Sequence, residues 1–476
     1  MTGDELNYIS EAHANGKLAG DGPFTKYCHQ FLEDCIGSKK VFLTHSCTGA
    51  LEMAAILLDI QPGDEVIIPS YTFVSTANAF VLRGGVPVFV DIRKDTLNIN
   101  EMLIEDAVTL RTKAIVPVHY AGVACEMDAI MDIAKRHALL VIEDAAQGIG
   151  ASYKGRALGS IGDLSVLSFH ETKNIISGEG GALAVNNEKF IDRAEVIREK
   201  GTDRSQFFRG EIDKYTWRDV GSSFLLGEIP AAFLLAQLEK SQYITDKRLL
   251  IWNRYHRAFK ELDGIGKIRL PIVPNNCKHN AHIYYLLFND SNNRDKFIEN
   301  MKEKEINCMF HYAPLHLSDA GAKYGRSHGS LDITERHANS IVRLPLYVNL
   351  SKEKQTKVPS DETYLISASP LFRFKAFVTD MFMIMMPIMY ITTYLIMDGS
   401  DSFKSSEDAR WLTMIIYGII TVLFWVKKGQ TPGFKAYDLR LVDDNTRKPV
   451  GYGLAISRYV MFIISAVTII GLLLPF

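Results

Sequence analysis

The sequence predicts an α/β fold followed by an all-α membrane domain. Three observations carry this. Short apolar runs alternate with helical patterns from residue 40 to about 190, residues 230–350 change to long helical stretches with fewer apolar runs, and three apolar stretches follow residue 370.

The alternating part reads as buried strands at "EVIIPSY" (65–71), "VPVFVDI" (86–92), "AIVPVHYAG" (114–122), "LLVIEDAAQ" (139–147), "LSVLSF" (164–169) and "GALAVN" (181–186). Candidate helices lie between them, such as 48–60 and 127–137. Strand, helix, strand in succession predicts a mostly parallel sheet covered by helices on both faces. Residues 1–229 form the large domain on this reading. Residues 230–350, with a helical stretch over 230–262 and the runs "IRLPIVP", "HIYYLLF" and "INCMFHY", form a smaller α+β lobe.

The segment 351–370 is polar, contains two prolines and reads as a linker. Residues 371–476 then carry apolar stretches at 376–397, 411–426 and 459–476. A membrane span needs about 20 apolar residues, so three spans are expected, the second being short. Segment 427–458 holds seven Lys or Arg, while 398–410 holds two against four acids. By the positive-inside rule the basic loop, the linker and the large N-terminal part are cytoplasmic, a multi-pass inner-membrane arrangement.

Composition agrees with this. There are 53 basic and 55 acidic side chains, which leaves no electrostatic footprint for nucleic acid. The six cysteines, Cys28, Cys35, Cys47, Cys125, Cys277 and Cys308, have no paired metal-ligand spacing and suit reduced thiols, so no metal site is expected. The opening "MTGDELNYIS" lacks the basic start and apolar run of a secretory signal.

Chemistry gathers at the predicted strand ends. Open α/β sheets place ligands at the carboxyl ends of their strands. "SFHETKN" puts Ser168 at one such end and Lys173 just beyond it; "VIEDAAQ" puts Asp144 and Gln147 at another. "HSCTGALEMAA" opens an apolar helix with Thr48 and Gly49, where free N–H groups and the helix dipole favour a phosphate. Singly, these are an ordinary N-cap, a strand-end carboxylate, a turn residue and a surface lysine. Together they are the parts that hold pyridoxal 5'-phosphate (PLP): a phosphate cradle, a carboxylate for the pyridine nitrogen and an amine for the covalent bond.

The residues also carry a resemblance. "GDGPFTKYCHQFLE", "SCTGALEMAA", "GDEVIIPSYTFVSTANAFVLRGGVPVFVDI", "VPVHYAGVACEMD", "VIEDAAQ", "SFHETKN", "GEGGAL" and "REKGTDRSQFFRGEIDKYTWRDVGSS" resemble the DegT/StrS nucleotide-sugar aminotransferases, and within them the dTDP-4-amino-4,6-dideoxygalactose transaminases of surface-polysaccharide synthesis. The resemblance runs to about residue 355 and implies a fold type I PLP enzyme acting as a homodimer. It implies Lys173 as the residue bonded to the cofactor, Asp144 at the pyridine nitrogen, Gln147 beside the ring hydroxyl, Thr48, Gly49 and Ser168 at the phosphate, and Phe73 against the ring. Gly20, Gly22 and the 200–219 segment are implied to approach the nucleotide-sugar. The implied substrates are L-glutamate and a dTDP-4-keto-6-deoxy sugar.

The sequence departs from that pattern in three places. Ser223 stands where relatives offer an asparagine across the dimer to the phosphate. The Pro-rich opening and the usual last helix of the family are also absent. The C-terminal part resembles an RDD domain, a small membrane module, through Arg373 and Asp380 in "RFKAFVTD" and the stretch 429–458 that ends in Arg458. An acid inside a span is costly unless paired, and Arg373 or Arg458 is the expected partner of Asp380. Two rivals to an enzyme stand beside this reading: a membrane transport or anchoring module with a non-catalytic scaffold, and a gene-fusion artefact.

Overall fold

The computed structural model describes residues 1–356, 358, 370–437, 439, 441, 443 and 449–468. The chain divides into two compact units, Met1–Asp361 and Glu362–Phe476. Most of the expected linker lies outside the described residues.

The first unit is built on an eight-stranded sheet in the order Lys40–Thr44, Gly181–Val185, Leu164–Ser168, Leu140–Asp144, Thr112–Ile115, Glu65–Pro69, Val86–Val90 and Arg326–Ser327. Gly181–Val185 runs antiparallel to both of its neighbours, and the remaining pairings are parallel. Each of the six apolar runs is a strand. Alternation of side chains across the pleat then builds two cores from one strand. Leu183 and Val185 pack with the helices Cys47–Leu57 and Ile191–Arg198, whereas Ala182 and Ala184 pack with the helices Pro23–Ile36 and Glu228–Glu239. Burying a residue such as Leu183 contributes about 2 kcal/mol. The outer strands Lys40–Thr44 and Arg326–Ser327 were not among the predicted runs; the second has two residues, too few for a periodic signal.

The stretch 230–262 resolves into three helices, Glu228–Glu239, Ser241–Ala258 and Lys260–Gly264. The first packs with the N-terminal helices, so it belongs to the core of the large sheet. The small sheet orders Ile268–Arg269, Tyr284–Phe288 and Ile341–Leu344, all antiparallel. The run "INCMFHY" is no strand. It touches this sheet through a single bridge, Met309 to Arg343.

In the second unit the helical stretch Arg373–Ile396 (24 residues) and the helix Glu407–Lys428 (22 residues) are long and apolar enough to cross a membrane. The first contains π-helical turns at Met381–Met385 and Thr392–Ile396. Pro387, which has no N–H to donate, lies between them. Trp411, Leu412, Ile415, Ile419 and Leu423 stay exposed on the second. The third expected stretch begins within the helix Tyr452–Thr468; its remainder lies outside the described residues.

Candidate active site

The carboxyl ends of the parallel strands and the small lobe enclose a cavity of about 350 Å³. Thr48, Phe73, Asp144, Gln147, Ser168 and Lys173 line it, six of the residues singled out in the sequence. Ser46 caps the helix Cys47–Leu57 by accepting from Gly49 N at 3.0 Å, which aims the first turn of that helix at the cavity. Close approach of this turn to the sheet requires a glycine: a Cβ on Gly181 would lie 2.4 Å from Cys47 N.

Asp144 is the last residue of its strand. Thr76 Oγ1 donates to its Oδ2 at 2.8 Å and Ala146 N to its Oδ1 at 3.1 Å, which fixes the carboxylate while leaving acceptor capacity toward the cavity. The preceding residue, Glu143, points to the opposite face. It is fully buried and accepts from His119 Nε2 at 2.9 Å and from the N–H groups of Gly159, Ile161 and Gly162. Burial would raise its pKa; the bonds from His119 and from the backbone outweigh it and hold Glu143 below the ordinary carboxylate range. Gln147 accepts from Ala121 N at 2.7 Å and donates to Tyr312 OH at 3.2 Å. Thr48 shares a 2.8 Å hydrogen bond with Ser75.

Lys173 stands in the turn after Leu164–Ser168, its N–H donating to His170 O at 2.9 Å. Burial lowers the pKa of its amine and the charge of Arg343 lowers it further, against the opposing pull of Cys47 and Asp144. A lysine driven toward its neutral form beside a fixed carboxylate is a nucleophile and a proton carrier.

The remaining predicted residues fall elsewhere. Gly49 does not line the cavity. Its N–H is taken by Ser46, and a Cβ there would meet the His45 ring at 2.9 Å. Gly20 and Gly22 pack inside the fold: a Cβ on Gly20 would lie 2.7 Å from Leu226 O, and Gly22 N donates to Glu228 at 3.1 Å. Ser223 is exposed and bridges to Glu199. The cavity also recruits residues that the sequence reading did not single out, namely Thr72, Ser75, Thr76, His282, His311, Tyr312 and Arg343. His282 and His311 are kept neutral, His311 with its pKa down at about 2, by burial first and then by the charges of Lys173 and Arg343.

In the second unit Asp380 is buried, and its expected pairing with Arg373 or Arg458 is corrected. Thr431 Oγ1 donates to it at 2.5 Å and Gly433 N at 2.7 Å. The acid sits at the start of the short helix Pro432–Ala436, where unsatisfied N–H groups meet the carboxylate, and among the described residues no arginine forms an ion pair with it.

The donor set fits PLP. The helix start with Thr48 and Ser168 suits a phosphate, Asp144 a protonated ring nitrogen, and Lys173 a covalent bond. Among the described residues no group of three metal-ligating side chains comes together.

Comparison with known proteins agrees. Residues 1–361 match the DegT/DnrJ/EryC1/StrS aminotransferase family, and residues 367–476 match the RDD family. The chain is 38% identical over 339 residues to the uncharacterized protein MJ1066 of Methanocaldococcus jannaschii, covering 70% of this chain and 87% of that one. It is 34% identical over 358 residues to the spore coat polysaccharide biosynthesis protein SpsC of Bacillus subtilis, covering 74% and 91%. The crystal structure of the aminotransferase TlmJ from Streptoalloteichus hindustanus superposes with a TM-score of 0.68 at 30% identity, over 74% of this chain and 93% of that one.

Proposed function

The chain belongs to the DegT/DnrJ/EryC1/StrS aminotransferase family and is a PLP-dependent sugar transaminase with a membrane-associated RDD domain; from that premise we propose that it moves the amino group of L-glutamate to C4 of a dTDP-4-keto-6-deoxyhexose. The product is dTDP-4-amino-4,6-dideoxygalactose, a building block for surface polysaccharide. The observation that carries this is the convergence of Lys173, Asp144, Ser168 and the helix start at Ser46–Thr48 on one cavity. The likeness to SpsC supports the polysaccharide setting.

When bound, PLP supplies an electron sink for the bonding electrons released at the amino-bearing carbon. The protein does the rest. Thr48, Ser168 and the first turn of the helix Cys47–Leu57 would bind its phosphate. Asp144, oriented by Thr76, would hold the proton at the ring nitrogen. Phe73 and Tyr312, with ring centroids 6.4 Å apart, provide an aromatic wall. Lys173, its amine pKa lowered first by burial, takes a proton at the donor carbon and delivers one at C4 of the acceptor. We assign the working unit to a homodimer in which Ser223 of one chain faces the phosphate site of the other. We assign the catalytic unit to the cytoplasmic face of a multi-pass inner-membrane anchor, a reading supported by the seven Lys and Arg of segment 427–458.

The test is incubation of the PLP-loaded protein with L-glutamate and either dTDP- or UDP-4-keto-6-deoxyglucose, with the product read by NMR. A dTDP-linked sugar with an axial 4-amine is expected. An equatorial amine or a preference for UDP would overturn the substrate assignment, and full activity of Lys173→Ala would overturn the role of the lysine.

A further inference from the structure

Lys173 needs its amine in one place for two tasks, bonding the cofactor and carrying protons, yet among the described residues no hydrogen bond or ion pair holds that amine. Its position therefore comes from the turn 169–180 that carries it. Among the described residues the hydrogen bonds of this turn stay inside it, from Phe169 N to Gly180 O, Glu171 N to Gly178 O and Lys173 N to His170 O, each at 2.9 Å, with the exception of those made by Asn174. Asn174 is buried and reaches out to the small lobe. Its Nδ2 donates to Asn280 O at 2.9 Å, and its Oδ1 accepts from His282 Nδ1 at 3.1 Å. Because Nδ2 faces a carbonyl, Oδ1 must face the imidazole, so Nδ1 of the neutral His282 carries the hydrogen.

The receiving segment is itself fixed. Asn280 is fully buried; its Nδ2 donates to Gln147 O at 2.7 Å and Ile149 O at 2.8 Å, and its Oδ1 accepts from His282 N at 3.0 Å. Ala281 is held at φ +52°, a left-handed conformation that costs an alanine energy, and the buried Arg248 donates to Ala281 O at 3.1 Å and to His282 O. One segment thus grips both the loop that follows Asp144 and the turn of Lys173.

We infer that Asn174 is a positioning residue for Lys173, tying the turn of the lysine to Asn280 and His282 so that its amine meets the cofactor and the substrate carbons at a fixed place. The inference rests on the reading of Lys173 as the residue bonded to PLP. Asn174 does not line the cavity, so it acts through its neighbour. A reacting group misplaced by about 1 Å loses about 100-fold in rate, while ligands held by other side chains still bind.

The test uses the full chain in detergent, stripped of PLP and reloaded. Asn174→Ala should slow the appearance of the visible band of a lysine-linked cofactor after PLP is added, and slow the loss of that band when the loaded protein meets L-glutamate, each by about 10-fold or more. The L-glutamate concentration at half-maximal rate should stay within about 3-fold. His282→Leu should act in the same direction. His282→Asn, whose amide can donate from near the place of Nδ1, should recover most of the loss, and this pair carries the test if Asn174→Ala does not fold. Both rates unchanged in Asn174→Ala, with only a lower unfolding temperature, overturns the inference. Equal losses in His282→Leu and His282→Asn overturn it too, because the ring in the cavity and not its bond to Asn174 would then matter. If Lys173→Ala still forms the visible band, it is the reading of Lys173 that fails, and measuring that variant separately tells the two failures apart.

Discussion

Thr76 donates its hydroxyl proton to Asp144 Oδ2 at 2.8 Å, and Thr72 Oγ1 lies 2.9 Å from Thr76 Oγ1, so a short hydroxyl chain from the first turn after Glu65–Pro69 sets the orientation of the carboxylate. Removing the first link tests whether that orientation matters. Thr76→Val keeps the volume and leaves Asp144 in place, and should weaken PLP binding by roughly 10-fold, the value of one hydrogen bond to a charged group. Asp144→Asn should cost far more in turnover than in PLP binding. Fluorescence titration of PLP with parallel turnover measurements separates the two.

Glu143, on the opposite face of the strand, makes a stability prediction with a definite sign. Its folded pKa lies below the unfolded value near 4.5, so its contribution is fully present above that pH and is lost as pH falls through the folded value. Glu143→Gln leaves His119 and three N–H groups without their anion and should destabilise the first unit by about 3 kcal/mol at neutral pH, with the difference from wild type shrinking in acid. Denaturant unfolding as a function of pH checks this.

Gly22 separates a packing role from a substrate role. Its Cβ position is 2.3 Å from the Glu228 side chain, and Glu228 also accepts from Phe24 N at 2.9 Å and Thr25 N at 3.0 Å at the start of the helix Pro23–Ile36. Gly22→Ala should cost about 2 kcal/mol of stability through overpacking and leave the KM for the sugar nucleotide unchanged. A raised KM with unchanged unfolding would return Gly22 to the substrate site.

Ser46→Ala removes the cap of the helix Cys47–Leu57. The stability loss should be about 1 kcal/mol, and PLP affinity should fall with it, because the freed Gly49 N–H changes the turn that meets the phosphate. Thermal unfolding with and without PLP reads both effects.

The membrane assignment is checked by fractionation. One full-length polypeptide carrying transaminase activity should sediment with membranes, and a chain ended at residue 361 should be released with its activity intact. Separate soluble and membrane fragments would favour a fusion artefact.

What the sequence determined by itself is local in origin. Each of the six apolar runs became a strand because strands buried on both faces of a sheet are apolar on both, and Asp144 and Ser168 were found because they end such strands, with Lys173 in the turn that follows. The tertiary structure decided what convergence alone can decide. His282, His311 and Arg343 reach the cavity from the small lobe, more than 100 residues beyond Lys173, and no periodicity encodes where a distant strand will dock. Gly49, Gly20 and Gly22 matched a motif, yet two of them serve packing against residues near 226, and the third gives its N–H to a cap. Asp380 repeats the lesson: charge complementarity suggested an arginine, but the fold brought it the open N–H end of a short helix, which satisfies a buried carboxylate as well.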